Sequence, residues 1–330
     1  MNLDALGCYL SENVKGFSGP LKVEPISGGQ SNPTFFVTSP THRLVLRKQP
    51  EGPLLPKAHA LDREYKIQDA LAKTGVPVPQ MIALCQDKNV LGTDFYVMHR
   101  LHGKVIHDNA LGEADIGKRR AMYKAAAKTM AALHSVGWQE IGLGDYGRPD
   151  NYFERQINRW IRQWEGSKTR DIPDLEKVIP WLQQNIPAPT GPSIVHGDFR
   201  IGNIMFSDDG SVAALLDWEL STIGDPMADL AHFSMGWDSS PDEYDGVKGL
   251  DLNAEGLPTR EEFQEWYNQA GGDISTFSDF HRIFALFRFS IIFEGIATRA
   301  AAGNAAGENA NEVSSLALNF ARRAAELLEG

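Results

Sequence analysis

The segment HGDFRIGN, residues 196 to 203, sets a carboxylate, Asp198, five positions ahead of a carboxamide, Asn203. A second carboxylate, Asp217, follows the apolar run VAALL nineteen residues past Asp198. Transfer of a phosphoryl group from a nucleotide needs such a set. One carboxylate accepts or orients the proton of an acceptor hydroxyl, while an amide oxygen and another carboxylate hold Mg²⁺ against the phosphates. The spacing lets both side chains of one loop reach a single cleft, and the strand pair that follows delivers the second carboxylate from the opposite side.

Two kinds of chain surround that segment. In the first hundred residues, LKVEPIS, PTFFVTS and HRLVLRKQ carry strand patterns, and NVLGTDFYVMHRLHG adds two more strand-like pieces ending at Gly103. Between them ALDREYKIQDALAKTG (60–75) is amphipathic and is stopped by Gly75, Pro77 and Pro79. A five-stranded antiparallel sheet with one inserted helix is expected. Beyond residue 104 the periodicity turns helical, at 115–136, 151–165, 174–185, 226–236, 259–270, 276–302 and 310–328, with three short strand patterns between 193 and 219. The biased stretch AAAGNAAGENAN (300–311) reads as a helix-to-helix connection.

HGDFRIGNIMF followed by ALLDWE and GDPMADLA resembles the aminoglycoside phosphotransferase family, the small-molecule branch of the protein-kinase-like fold that also includes choline kinases. The resemblance runs over roughly residues 20 to 300. Within the family, GGQSNPTFFV, LVLRKQP and DWELSTIGDPMADLA are most similar to the group related to the kinase domains of certain acyl-CoA dehydrogenases. It implies an α+β, bilobal protein-kinase-like fold, with a small antiparallel sheet lobe carrying one helix and a larger, mainly helical lobe. Residues 1–103 are then a nucleotide-binding lobe with a hinge near 98–103, and residues 104–330 the catalytic and substrate lobe. By the same resemblance Asp198 is the catalytic base, His196 braces its loop and Arg200 belongs to the catalytic set. Asn203 and Asp217 are Mg²⁺ ligands, and Asp225 and Asp229 support the loop from beneath.

The nucleotide side is read from the first lobe. SGGQSN (27–32) lies between two strands, where Gly28, Gly29, Gln30, Ser31 and Asn32 form a turn whose backbone N–H groups can approach phosphates; a plain hairpin turn is the alternative. LVLRK then offers a cation, and Glu64 on the following helix its ion-pair partner. The strand lysine of kinases is replaced here by Arg47, with Lys48 beside it, and alternation points only one of them into the cleft. The resemblance favours Arg47, whose guanidinium clamps phosphate oxygens bidentately, while a surface charge fits Lys48. By position FYVMHRLHG (95–103) is the expected hinge, where Met98 and the backbone groups of His99 to Leu101 could meet the adenine.

The cofactors implied are ATP and Mg²⁺, and the acceptor is small. Asp217 is followed within eight residues by GDP, without the activation segment or A-P-E element of a protein kinase. Two acceptor classes compete. The run 238–255 carries six acidic residues and one lysine, which could line a pocket for a cationic acceptor such as an aminoglycoside or choline, or could be a solvated loop. Arg288 and Arg299 fall within about 20° of each other on a helix, which could make a recess for an anionic acceptor, a hydroxy acid or hydroxyacyl-CoA, or could instead pair with Glu294. A nucleotide-binding pseudokinase is the remaining class.

The net charge of −11, from 32 basic and 43 acidic residues, argues against nucleic acid or an anionic membrane as partner. Cys8 and Cys85 make neither a disulfide framework nor a zinc site, so a reducing cytoplasm is the expected setting. No secretory signal and no membrane span are expected, since the most apolar segment, 283–300, is broken by Arg288, Glu294 and Arg299.

Overall fold

The computed structural model describes residues 1–26, 32–52, 60–301 and 310–329, the side chains of 300, 301 and 310–313 excepted. The strands β1 (Lys22–Pro25), β2 (Thr34–Thr38), β3 (Arg43–Lys48), β4 (Met81–Cys85) and β5 (Phe95–His99) form one antiparallel sheet in the order β1-β2-β3-β5-β4. Alternation along β3 sends Leu44 and Leu46 to one face, where they pack with Leu6 and Leu10 of helix α1 (Leu3–Asn13). Helix α2 (Leu61–Leu71) covers the other face, with Leu61 against Met81 and Tyr96.

Two expectations for this sheet need correction. Residues 88–91 are not a strand but a short helix, α3 (Lys88–Leu91), capped by the side chain of Asp87; the fifth strand is β4. Lys48 is not a surface charge. Its side chain is 7% exposed, on the face that α1 covers, and its Nζ reaches Glu51 at 3.0 Å. The linear pattern of the first twenty residues predicts no helix there, which leaves that face open in the sequence.

The remainder contains the helices α4 (Ile116–His134), α5 (Tyr152–Ser167), α6 (Pro173–Gln184), α7 (Met227–Asp238), α8 (Pro241–Tyr244), α9 (Arg260–Gln269), α10 (Asp279–Ala301) and α11 (Ala310–Glu329). It also contains a three-stranded sheet, β6 (Lys104–Val105), β8 (Ile204–Phe206) and β9 (Val212–Leu215), and a two-stranded one, β7 (Ser193–Val195) with β10 (Thr222–Gly224). These short strands position the candidate site. β7 leads into the segment of Asp198, and β9 ends two residues before Asp217.

One core histidine makes stability depend on pH. His281 of α10 is buried among Phe153, Phe277 and Phe280, and its Nδ1 accepts the Ser278 N–H at 3.1 Å. Burial pushes its pKa down from 6.5 to about 4, against the opposing influence of Asp225. Below pH 6.5 the unfolded chain binds a proton that the folded one refuses, so stability falls as pH drops towards 4. At pH 5 the loss is on the order of 2 kcal/mol relative to pH 7. Urea unfolding of the wild type and of His281→Gln at both pH values checks this: the variant should lose less on acidification, and equal losses would contradict it.

Candidate active site

Asp198 sits in a loop held on all sides. Its Oδ2 accepts from the Asn203 amide at 2.7 Å, and the same nitrogen donates to the Asp198 carbonyl at 2.9 Å. This reach is short because residues Ile201–Asn203 form a single 3₁₀ turn. Oδ1 lies 3.1 Å from Nε2 of His232, and Arg200 Nε stands 3.6 Å from Oδ2. Burial alone would raise the carboxyl pKa, but His232, Arg200 and His196 outweigh it and hold the group well below the usual carboxylate range. Asp198 is therefore ionised at neutral pH.

The backbone of the loop is gripped separately. Asp229, fully buried on α7, accepts the N–H groups of His196 at 2.6 Å and Gly197 at 2.8 Å, with His134 Nε2 at 3.3 Å. Gly197 has φ +82°, and a Cβ there would lie 2.6 Å from the Leu220 carbonyl oxygen, so the turn requires glycine. The His196 ring donates to the Leu216 carbonyl at 3.0 Å and accepts the Asp198 N–H at 3.3 Å, which ties the loop to the segment of Asp217. Asp225 caps the entry to α7, accepting from Thr190 Oγ1 at 2.7 Å and Met227 N–H at 3.0 Å.

Asp217 adopts φ +64° with its side chain 35% exposed, and Arg47 reaches across from β3 to donate to its Oδ1 at 3.1 Å. The same guanidinium lies 2.9 Å from Glu64 on α2. Glu64 is 2% exposed and also accepts from Asn32 at 2.9 Å and Tyr96 at 3.1 Å; burial raises its pKa, and Arg47 opposes the rise. Helix α2 is bolted to the same segment. Arg63 donates to the Tyr146 carbonyl at 2.9 Å and stacks on that ring, while the Tyr146 and Ser221 hydroxyls lie 2.7 Å apart. Strand β3, helix α2 and the segment of Asp217 thus share one frame.

Arg47, Tyr96, Met98, His99, Leu101, Asn203 and Asp217 line one cleft of about 640 Å³, with apolar walls from Ile26, Val45 and Leu216. A narrow recess of about 30 Å³ lies beside it and shares His107, Arg200 and Gly202 with the cleft; His232, Asn109, Tyr244 and Asp245 are also in its lining. Of the turn 27–32, Gly28, Gly29, Gln30 and Ser31 lie outside the described residues, and Asn32 is buried against Glu64.

Arg288 and Arg299 share a helix face yet form no common recess, because about 16 Å of helix axis separates them. Arg288 donates to the Gly197 carbonyl at 2.8 Å, and Arg299 is exposed. The Glu294 carboxylate is taken instead by Arg170 at 2.6 Å and Thr169 at 3.1 Å. Much of the acidic run is also spoken for. Asp238 pairs with Arg260 and Arg282 at 2.5 and 2.6 Å, Glu243 with Arg323 at 2.5 Å and Glu255 with Arg119 at 2.8 Å. From that run, Asp245 is the acidic residue in the recess lining.

Asn203 and Asp217 fit a hard cation. Asn203 spends its Nδ2 on Asp198, which leaves Oδ1 as a donor oxygen, and Asp217 supplies a partly exposed carboxylate. Among the described residues no group of three or more His, Cys, Asp or Glu converges on a metal site. Mg²⁺ differs from ions that need such a cage, since it keeps waters and binds through one or two carboxylates together with phosphates.

His232 is the contact that sequence reasoning misses. Its signal is its place three residues after Asp229, on the same face of a helix. The GDPMADLA motif ends at Ala231, one residue short of it.

Comparison with known proteins gives the family and the fold. Residues 22–266 match the model of the Phosphotransferase enzyme family. A Ralstonia eutropha protein whose crystal structure bears the name of a putative aminoglycoside phosphotransferase superposes with a TM-score of 0.91 at 40% identity, over 99% of this chain and 98% of that one. Acyl-CoA dehydrogenase family member 10 of Mus musculus is 37% identical over 97% of this chain and 30% of its own length. Member 11 of Homo sapiens is 37% identical over 98% and 42% respectively. The chain thus spans less than half the length of these curated relatives. The aminoglycoside phosphotransferase APH(4)-Ia, solved as a ternary complex with AMP-PNP and hygromycin B, shares the fold at a TM-score of 0.64 and 13% identity over 99% of both chains. The protein is a member of the phosphotransferase enzyme family, built on the kinase-like fold of the aminoglycoside phosphotransferases.

Proposed function

We propose that the chain is an ATP- and Mg²⁺-dependent small-molecule kinase whose acceptor is an anionic hydroxyl compound, a hydroxy acid or hydroxyacyl-CoA. The observation that carries this reading is the ionised Asp198, whose contacts Asn203 and His232 line two neighbouring spaces. One is the cleft with Arg47 and Asp217, and the other the recess with His107 and Arg200. The apolar cleft wall takes the base beside Met98, His99 and Leu101, and Arg47 clamps phosphate oxygens. Asp198 receives the proton of the acceptor hydroxyl as its oxygen bonds to the γ-phosphorus; the bridging P–O bond breaks and ADP leaves with the electron pair. Asn203 and Asp217 would hold Mg²⁺, which would neutralise phosphate charge when bound.

Two features support an anionic acceptor. The recess presents Arg200 and His107, while several carboxylates of the acidic run are committed to arginines. A panel of 3-hydroxybutyrate, 3-hydroxybutyryl-CoA, choline and kanamycin, each with ATP and Mg²⁺, tests the reading. Turnover is expected with the anionic members, and Arg200→Gln should raise their KM by roughly tenfold or more, the worth of a charge-assisted hydrogen bond, with nucleotide affinity unchanged. Turnover confined to choline and kanamycin would overturn it.

A further inference from the structure

Helix α7 grips the catalytic loop twice from one face: Asp229 takes the backbone, and His232, one turn on, touches the side chain that the backbone grip presents. We propose that His232 is a positioning residue for Asp198, whose Nε2–H fixes the plane of that carboxylate so that a free lone pair stays aimed at the acceptor hydroxyl. The inference rests on the reading of Asp198 as the base.

The geometry is specific. Asn203 holds Oδ2 from one side at 2.7 Å, which stops translation of the carboxylate but leaves rotation about the Cβ–Cγ bond. His232 engages Oδ1 at 3.1 Å and closes that freedom. The N–H points off the line to Oδ1, so the contact is a bent one in which charge–dipole attraction dominates. The imidazole is itself confined, with a side chain 3% exposed and the ring packed edge-on against Phe289 at 5.0 Å. An ionised carboxylate only accepts, so the proton is assigned to Nε2 and the lone pair to Nδ1; among the described residues both ring nitrogens are buried without a hydrogen bond of good geometry, and the 3.1 Å approach to Oδ1 is the polar contact the ring makes. Burial drives the ring towards its neutral form, opposed by the contact with Asp198. Arg288, which donates to the Gly197 carbonyl, steadies the other end of the same peptide segment.

The test uses the whole chain with Mg²⁺-ATP and water as the acceptor, so no identified substrate is needed. His232→Leu removes the donor, His232→Gln restores an amide N–H near the Nε2 position, and His232→Asn carries a shorter amide that does not reach it. For Leu and Asn, kcat should fall by about three- to tenfold, the worth of an ordinary hydrogen bond and not of a well-aligned charge-assisted one, while KM for ATP stays within about twofold. Gln should recover most of the loss. In ¹⁵N-histidine-labelled protein at neutral pH, one ring protonated on Nε2 should disappear in His232→Gln and shift in Asp198→Asn. A ring protonated on Nδ1, or Leu and Gln variants of equal activity, would overturn the proposal; if Leu fails to fold, equal activity of Gln and Asn does the same. Wild-type protein that hydrolyses no ATP would count against the kinase reading, and the tautomer would then decide the positioning role alone.

Discussion

Asp198→Asn should lower phosphoryl transfer by roughly 10²- to 10⁴-fold, the range that a positioned general base contributes. The loss has two physical sources. An amide has no basic lone pair for the acceptor proton, and it has one acceptor oxygen where the carboxylate has two. His232 and Asn203 both approach as donors, so the substituted side chain must turn its own NH₂ towards one of them. Nucleotide binding should survive, because Arg47, Asp217 and the apolar cleft wall are untouched. Turnover measured by ADP release, beside nucleotide affinity by calorimetry, separates the two effects. Near-normal turnover would remove Asp198 from its role.

Asp217→Asn is expected to have the second large effect, a fall in kcat/KM for Mg²⁺-ATP on the order of 10³-fold, since a charged metal ligand is worth several kcal/mol in the transition state. Asn is preferred to Ala here. The residue has φ +64°, a region Asn tolerates better than Ala, so the amide isolates the charge from backbone strain. The variant also leaves Arg47 without one of its carboxylate partners, which should increase Mg²⁺-independent affinity for the nucleotide phosphates while the Mg²⁺-dependent part is lost. Asn203→Ala deletes a neutral ligand and should weaken Mg²⁺-dependent binding less. Nucleotide titration with and without Mg²⁺ reads all three proteins, and equal Mg²⁺ dependence in wild type and Asp217→Asn would contradict the site.

Much of this enzyme is legible without coordinates. Strand and helix periods locate nearly every element beyond residue 104, because those helices bury one face and end at turn residues. The spacing of Asp198, Asn203 and Asp217 is legible for a related reason: a short loop and a strand pair leave few ways for the side chains to diverge. The errors fall where burial comes from a distant segment. Lys48 reads as exposed because nothing in β3 announces that α1 covers it, and the strand at 81–85 is hidden beside a more conspicuous run.

The sequence by itself determined the family and the order of most elements, and it brought Asp198, Asn203 and Asp217 forward as the candidate set, since each depends on residue types at short, nearly rigid separations. Only the tertiary structure decided the partners of those residues. Arg288 and Arg299 share a face in any helical projection, but rise along the axis separates them, and it is Arg288 that meets the catalytic loop. The acidic run reads as a negative patch until Arg119, Arg260, Arg282 and Arg323 arrive from other helices and neutralise much of it. His232 acquires its meaning in the same way, from a carboxylate 34 positions earlier that β7 carries to within 3.1 Å. Charge and hydrogen bonding act over a few ångströms, and which groups come that close is set by packing between segments that the linear pattern does not relate.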